Sequence, residues 1–257
     1  MLIIKNNNVK KICSEDIDNI VNSSAFKNGI GVFETIKVIT QNNVALGEYL
    51  DEHYNRLNRA AQKIGLKTDL DFKTLKNSVD ALLKELKVEN GAIKISLCAD
   101  IYPETFCLIE WQNRFYTKEQ KEKGYNLTIS DYKINPYALT SGIKCLSNAD
   151  NIVAFHIAKA KGFNEAVILN TDGFISECCI SNIFWIKENT LYTPSLKSGC
   201  LNGIMRAHII DDYKKAGFNI EEGLFRLESL YVADKVFISN VLMGQMKVNS
   251  IERKDNI

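Results

Sequence analysis

Proline and histidine are scarce in this chain, with 3 of each among 257 residues. So few prolines, beside 14 glycines, exclude collagen-like and disordered classes, and His53, His156 and His208 give little material for a metal centre. The seven cysteines, at 13, 98, 107, 145, 178, 179 and 200, are odd in number and contain no CxxC pair. That pattern excludes a zinc ribbon and a disulfide framework, and free thiols packed as small hydrophobes are expected. Charge of one sign is not in excess either: 32 Lys and Arg against 31 Asp and Glu leave a formal charge of +1. Such a chain has no global electrostatic footprint for nucleic acid or an anionic membrane, so any anion must be caught by a local site. No apolar run approaches the ~18 residues of a membrane span. The opening Met1-Leu-Ile-Ile-Lys5 lacks the layout of a secretory signal, and a cytoplasmic location is expected. A phosphate-binding GxxxxGK[ST] loop, a GxGxxG turn, a GxSxG elbow and internal repeats are absent as well.

What is there is an ordered globular composition, 46% hydrophobic and 25% charged, at a length that suits two modest domains. Ile30 to Ile39 reads as a strand, and Gly47 to Ile64 carries Leu50, Tyr54, Leu57, Ala61 and Ile64 at helical spacing before Gly65 stops it. A helix from Leu75 to Leu86 and strands over 92–97 and 106–111 complete an α+β first half. The charged stretch Phe115 to Gly124 suggests a boundary. The expected organisation is therefore an N-terminal domain over 1–115, a linker over 116–124 and a C-terminal domain over 125–257.

The second half opens with a strand over 125–130. Ser147-Asn-Ala-Asp150 resembles a capping box for a helix to about Lys161, with Asp150 read as a cap. Thr171-Asp-Gly173 marks a hairpin between strands 165–170 and 174–179, and Glu188-Asn-Thr190 separates strands 183–187 and 191–192. Helices over 203–216 and 227–233 and a closing strand over 235–239 follow. Periodicity alone yields a soluble two-domain α+β protein whose second half is an antiparallel or barrel-like sheet with helices packed on it.

The informative wording is Ser176-Glu-Cys-Cys-Ile-Ser-Asn-Ile-Phe-Trp185, then Leu191-Tyr-Thr-Pro194, then Leu201-Asn-Gly-Ile-Met-Arg206. Gly31-Val-Phe-Glu-Thr35, Glu52-His-Tyr-Asn-Arg-Leu57, Ile143-Lys144 and Ser239-Asn-Val-Leu-Met243 extend it over most of the chain in order. This set resembles the fold-type IV pyridoxal-phosphate enzymes, the class IV aminotransferase family that holds branched-chain and D-amino-acid aminotransferases and aminodeoxychorismate lyases. The wording is most similar to the lyase branch. The resemblance implies a two-domain α+β fold like that of D-amino-acid aminotransferase, with a smaller N-terminal α/β domain and a barrel-like C-terminal α/β domain. It further implies pyridoxal 5′-phosphate as cofactor, a small-molecule amine as substrate and a homodimer, with neither nucleic acid nor membrane as partner.

By the same resemblance Lys144 is the catalytic lysine, which bonds the cofactor and then moves protons. Its neighbours Ile143, Cys145 and Leu146 make an apolar setting that favours the uncharged amine. Glu177 becomes the carboxylate partner of the pyridine nitrogen. It stands in an otherwise uncharged run, Phe174 to Ile186, where a charge is costly unless paired. The phosphate calls for N–H donors and positive charge. The resemblance assigns the main-chain N–H groups of Ile204 and Met205, the Ser239-Asn240 pair and Arg56, with Arg59 as the competing arginine, and it sets Leu201 against the ring. Met205 replaces the threonine of many relatives, so its main chain alone carries over. Either Glu34 or Thr35 faces the site, since strand alternation sends one inward and the other outward. The three histidines read as packing or surface residues, and Arg206 and Arg226 as candidates for a substrate carboxylate or as surface charges. Two departures stand out. Gly29-Ile-Gly31 replaces a Gly-Asp-Gly wording, and Cys98, Ala99 and Asp100 stand where relatives often carry a carboxylate-binding arginine.

Overall fold

The structure, a computed structural model, describes residues 1–253. The chain divides into two compact units, Met1–Phe115 with Ile143–Ser147, and Tyr116–Gly142 with the residues from Asn148 onward.

In chain order the first unit contains β1 (Leu2–Lys5), β2 (Asn8–Lys11), α1 (Ser14–Asn22), α2 (Ser24–Asn28), β3 (Gly31–Gln41), β4 (Val44–Gly47), α3 (Leu50–Lys63), α4 (Phe72–Leu86), β5 (Gly91–Ala99) and β6 (Thr105–Gln112). Its six strands form an antiparallel sheet in the order β2-β1-β6-β5-β3-β4. Alternation along β3 buries Val32, Ile36 and Val38. They join Leu57 and Ala61 of α3 and Leu75, Val79 and Leu83 of α4 in one core. Each of these valine, isoleucine and leucine side chains contributes roughly 1.5–3 kcal/mol by leaving water. Helix α3 starts at Leu50, not at Gly47, because β3 continues past Ile39 and turns through Asn42 and Asn43, both at positive φ, into β4. That is the backbone a two-residue hairpin requires and one that asparagine tolerates.

The segment Ile143–Ser147 belongs to this unit because it pairs with the start of β3. The Phe33 N–H donates to Lys144 O at 2.8 Å, the Leu146 N–H donates to Gly31 O at 2.9 Å, and Cys145 bridges Val32. Gly31 makes the approach possible, since a Cβ there would sit 2.7 Å from Leu97 O and 2.5 Å from Leu146 Cδ1.

The second unit contains α5 (Lys118–Lys123), β7 (Tyr125–Ile134), α6 (Ala149–Ala160), β8 (Glu165–Asn170), β9 (Ile175–Cys178), β10 (Asn182–Lys187), β11 (Thr190–Pro194), a 3-10 turn (Leu196–Ser198), α7 (Ile204–Lys215), β12 (Asn219–Gly223), α8 (Glu228–Tyr231), β13 (Lys235–Asn240) and β14 (Gly244–Ile251). Residues 116–124 belong to this unit and carry α5, capped reciprocally by Thr117 and Gln120. The eight strands run β12-β11-β10-β13-β14-β7-β8-β9.

The sheet is mixed rather than antiparallel. β11 with β12 and β7 with β8 are parallel pairs because α7 and α6 act as crossovers between them, and β14 with β7 is a third parallel pair, between strands distant in the chain. β13 does not close the unit; β14 pairs with both β13 and β7. The capping box expected at Ser147 is also absent. The N-cap of α6 is Asn148 with no side-chain bond, and the Ser147 hydroxyl donates instead to Gly29 O at 2.9 Å. Asp150 lies within the first turn and favours the helix through its dipole. The seven cysteines are free thiols, with only Cys13 exposed.

Candidate active site

Arg56 and Lys144 lie in the first unit. Pairing with β3 fixes the Lys144 backbone, and its Nζ lies 4.4 Å from the centre of the Phe33 ring, close enough for a cation–π contact. The chain before it is not a strand: β7 ends at Ile134 and turns occupy most of the interval.

Arg56 projects from α3 onto β3. Its Nε donates to Glu34 Oε1 at 2.7 Å and its Nη2 to Glu34 Oε2 at 2.6 Å, the fork geometry of a strong ion pair. His53, one helical turn earlier, donates Nδ1–H to Glu34 Oε2 at 2.7 Å. Glu34 is 1% exposed, so of the adjacent pair it faces the interior while Thr35 takes the opposite face. Burial alone would push the Glu34 carboxyl up, but the Arg56 charge and the hydrogen bonds from Arg56 and His53 outweigh it and hold the group at about 2. His53 is therefore no ordinary packing residue; its Nε2 is buried with no hydrogen-bond partner.

The remaining expected residues lie in the second unit, where the structure joins several of them directly. β9 carries Glu177, whose Oε2 accepts the Leu201 N–H at 2.9 Å. The carbonyl of Leu201 accepts Asn182 Nδ2 at 2.9 Å, which fixes both ends of this residue. Gly203 is the N-cap of α7, so Ile204 and Met205 are its first two residues and their N–H groups have no acceptor within the helix. A Cβ at Gly203 would collide with Asn182 Oδ1. Ser239 lies opposite Asn182 in the β10–β13 ladder, buried, with its hydroxyl unpaired. The Asn240 side chain forms a turn, accepting from the Leu242 and Met243 N–H groups at 3.0 Å and donating to Ile180 O at 3.2 Å.

A helix N-terminus, a glycine that admits no side chain and a buried unpaired hydroxyl are the donor set an anion such as a phosphate ester needs. Among the described residues, no three His, Cys, Asp or Glu gather as a metal site.

The two substrate-arginine candidates are engaged elsewhere. Arg206 is buried, with Nη2 on Pro194 O at 2.8 Å and on Glu222 Oε2 at 2.5 Å. Arg226 donates to Asp172 O at 3.0 Å and stacks over Phe174. At the end of β5, Cys98 and Ala99 are buried and Asp100 pairs with Lys5 at 2.6 Å.

The family model for amino-transferase class IV matches residues 31–251. The chain belongs to this family. It is an enzyme of the class IV aminotransferase type, with the fold-type IV architecture. It is 28% identical over 240 residues to an aminodeoxychorismate lyase of Bacillus subtilis, covering 88% of this chain and 79% of that one. A D-alanine aminotransferase of Listeria innocua is also 28% identical, over 247 residues, with 90% and 82% covered. A solved branched-chain aminotransferase of Thermoproteus uzoniensis with norvaline superposes with a TM-score of 0.88 at 23% identity, covering 98% of this chain and 87% of that one. Among the described residues, no helix is long and apolar enough to cross a membrane.

Besides Glu177, two residues that the sequence did not mark stand here: Asn182, which bonds Leu201 as Glu177 does, and Glu165, which bonds Ile180 and Ser181 between them. Glu165 heads an uncharged strand, Ala166 to Asn170, so the argument that marked Glu177, a charge in an apolar run, applies to it equally.

Proposed function

We propose that this protein is a pyridoxal 5′-phosphate-dependent lyase that converts 4-amino-4-deoxychorismate to p-aminobenzoate and pyruvate, a step toward folate. When bound, the cofactor supplies a carbon that captures an amine and a ring that draws off electrons. Lys144 is the residue that would hold the cofactor covalently, and its Nζ would serve as the base that takes the proton from the substrate carbon bearing the amine. With that proton gone, the bond between the ring carbon and the enolpyruvyl oxygen would break, its electron pair leaving with that oxygen; the released enolpyruvate would take up a proton to become pyruvate, and aromatisation of the ring favours the reaction. Glu177, oriented by the Leu201 N–H, would keep a proton on the pyridine nitrogen, and Leu201 would pack against the ring face. Ile204 and Met205 N–H groups, the Ser239 hydroxyl and the Asn240 main chain hold the phosphate. Arg56 is assigned to the phosphate as well, with its Nε and Nη2 held by Glu34, whose carboxylate is in turn held by His53.

The observation that carries the lyase reading is the end of β5, where Cys98, Ala99 and Asp100 carry no positive charge and the neighbouring Lys5 is paired with Asp100 at 2.6 Å. An amino acid substrate would lose there a charge-assisted hydrogen bond worth about 1.5–3 kcal/mol. The second reading, a transaminase acting on branched-chain or D-amino acids, draws support from the D-alanine aminotransferase likeness. Assaying pyruvate release from aminodeoxychorismate beside amino transfer from leucine, isoleucine and D-alanine to 2-oxoglutarate separates the two. The lyase reading expects pyruvate release to be faster, and a preference for any amino acid overturns it. Borohydride reduction and peptide mapping test the cofactor assignment independently, with the label expected on Lys144.

A further inference from the structure

Glu165 is fully buried at the head of β8, and the chemistry above gives it no task. Its Oε1 accepts the Ile180 N–H at 2.5 Å and its Oε2 accepts the Ser181 hydroxyl at 2.9 Å. One carboxyl group thereby grips the reverse turn between β9 and β10, which the Cys178 N–H closes onto Ser181 O at 2.8 Å. That turn borders several groups assigned to the cofactor. Glu177 precedes it on β9, and Asn240 donates from the end of β13 to Ile180 O at 3.2 Å. Asn182, which follows it, holds the Leu201 carbonyl at 2.9 Å, while the Leu201 N–H is given to Glu177 at 2.9 Å. The Asn182 amide also fills the space where a side chain at position 203 would stand, at the start of α7.

We propose that Glu165 is a positioning residue for the cofactor pocket. Its grip on residues 180 and 181 sets the register of Glu177 against Leu201 and of Asn240 against the turn, so the ring-nitrogen partner and the phosphate end are aligned by one buried carboxyl group. The inference rests on the cofactor reading given above. The role belongs to the hydrogen bonds rather than to the charge. A glutamine can accept from the Ile180 N–H with its carbonyl and donate its amide to the Ser181 hydroxyl, which accepts as readily as it donates. A leucine of similar bulk can do neither.

The test uses the full chain with pyridoxal 5′-phosphate added to apoprotein, comparing wild type, Glu165→Gln, Glu165→Leu and Ser181→Ala. In Glu165→Leu the dissociation constant of the cofactor is expected to rise tenfold or more, with faster amide exchange at Ile180 and Leu201 in the apoprotein and no change at Ile95 of the first unit. The pH at which the bound cofactor changes its visible absorbance is expected to move by about one unit, a tenfold change in equilibrium. Glu165→Gln should stay within twofold of wild type in all three readouts. Ser181→Ala, which removes one of the two bonds and keeps the fold should Glu165→Leu not accumulate, should lie between. Wild-type cofactor affinity and absorbance in Glu165→Leu, or in Ser181→Ala if that is the variant obtained, overturns the positioning role and leaves the cofactor reading intact. A Glu165→Gln variant as impaired as Glu165→Leu also overturns it, because charge would then be the requirement. Wild-type protein with no affinity for the cofactor overturns the cofactor reading and, with it, the role.

Discussion

The Arg56 guanidinium fork fits a single buried carboxylate, and that pairing makes Glu34 an energetic pivot of the first unit. Glu34→Gln leaves Arg56 beside a neutral amide. Removing one member of a buried pair typically costs about 3–5 kcal/mol, and urea unfolding should show a loss of that order. The pH dependence has a definite sign. The Glu34 carboxyl titrates at about 2 in the folded chain against an ordinary 4.5, so the unfolded state binds the proton more readily between those values. Its contribution is complete above pH ~4.5 and is lost as the pH falls toward ~2. Glu34→Gln should therefore flatten the acid limb of the stability curve. Glu177→Gln tests a different property. A neutral amide still accepts the Leu201 N–H but cannot hold the pyridine nitrogen protonated, so cofactor binding should persist while turnover falls by orders of magnitude, each tenfold being about 1.4 kcal/mol of lost transition-state stabilisation. Turnover near that of wild type would remove Glu177 from its assigned role.

At the scale of elements, α4 shows how local chemistry sets a boundary that apolar spacing misses. Leu75, Val79, Leu82 and Leu83 supply the buried stripe, but the helix begins at Phe72 because Asp71 caps it. Asp71 Oδ1 accepts the Thr74 N–H at 2.8 Å and its other oxygen accepts the Thr74 hydroxyl at the same distance. Asp71→Ala should cost about 1 kcal/mol, read as a lowered urea midpoint at unchanged m-value. The same scale explains why α6 lacks the expected capping box. Ser147 lies in the segment that pairs with β3, so its hydroxyl is drawn to the Gly29 carbonyl of the first unit and is lost to the helix.

At the scale of the whole molecule, the two buried glutamates act on stability in opposite directions. Burial pushes the Glu165 carboxyl up to about 7, with the neighbouring Glu177 charge adding to it; the Ile180 and Ser181 hydrogen bonds and Lys159 of α6 pull the other way without prevailing. Cys178 and Cys179, whose thiols burial raises, face the same carboxyl. The folded state then holds a proton that the unfolded chain releases between pH ~4.5 and ~7, so stability should fall across that window, by about 3 kcal/mol for a shift of this order. Thermal melts from pH 5 to 7.5 should show the decline in wild type and its disappearance in Glu165→Gln. A cofactor that must be shielded from water also fits a site completed by a second copy. Sedimentation of the active protein should give twice the 29.1 kDa of one chain, and an active monomer at micromolar concentration would contradict this.

Much of the molecule was legible in order along the chain. The strands at Gly31–Gln41, Gly91–Ala99 and Thr105–Gln112, the Thr171-Asp-Gly173 hairpin and the helix from Ile204 announce themselves because alternation, turn chemistry and helical spacing are local properties. The family, and with it the fold, could be read from motifs in register. Short strands such as β1 and the edge strands β2, β4 and β12 were not, since four or five residues carry little periodicity and form only because a neighbouring strand or an asparagine turn recruits them. Tertiary structure alone decided that Glu34 faces inward, that His53 and Arg56 share its carboxylate, and that Leu201 is held between Glu177 and Asn182. A hydrogen bond across 19, 22 or 24 residues leaves no trace in spacing. Sequence reports which residues are costly to bury, and the fold selects the partners that make their burial tolerable.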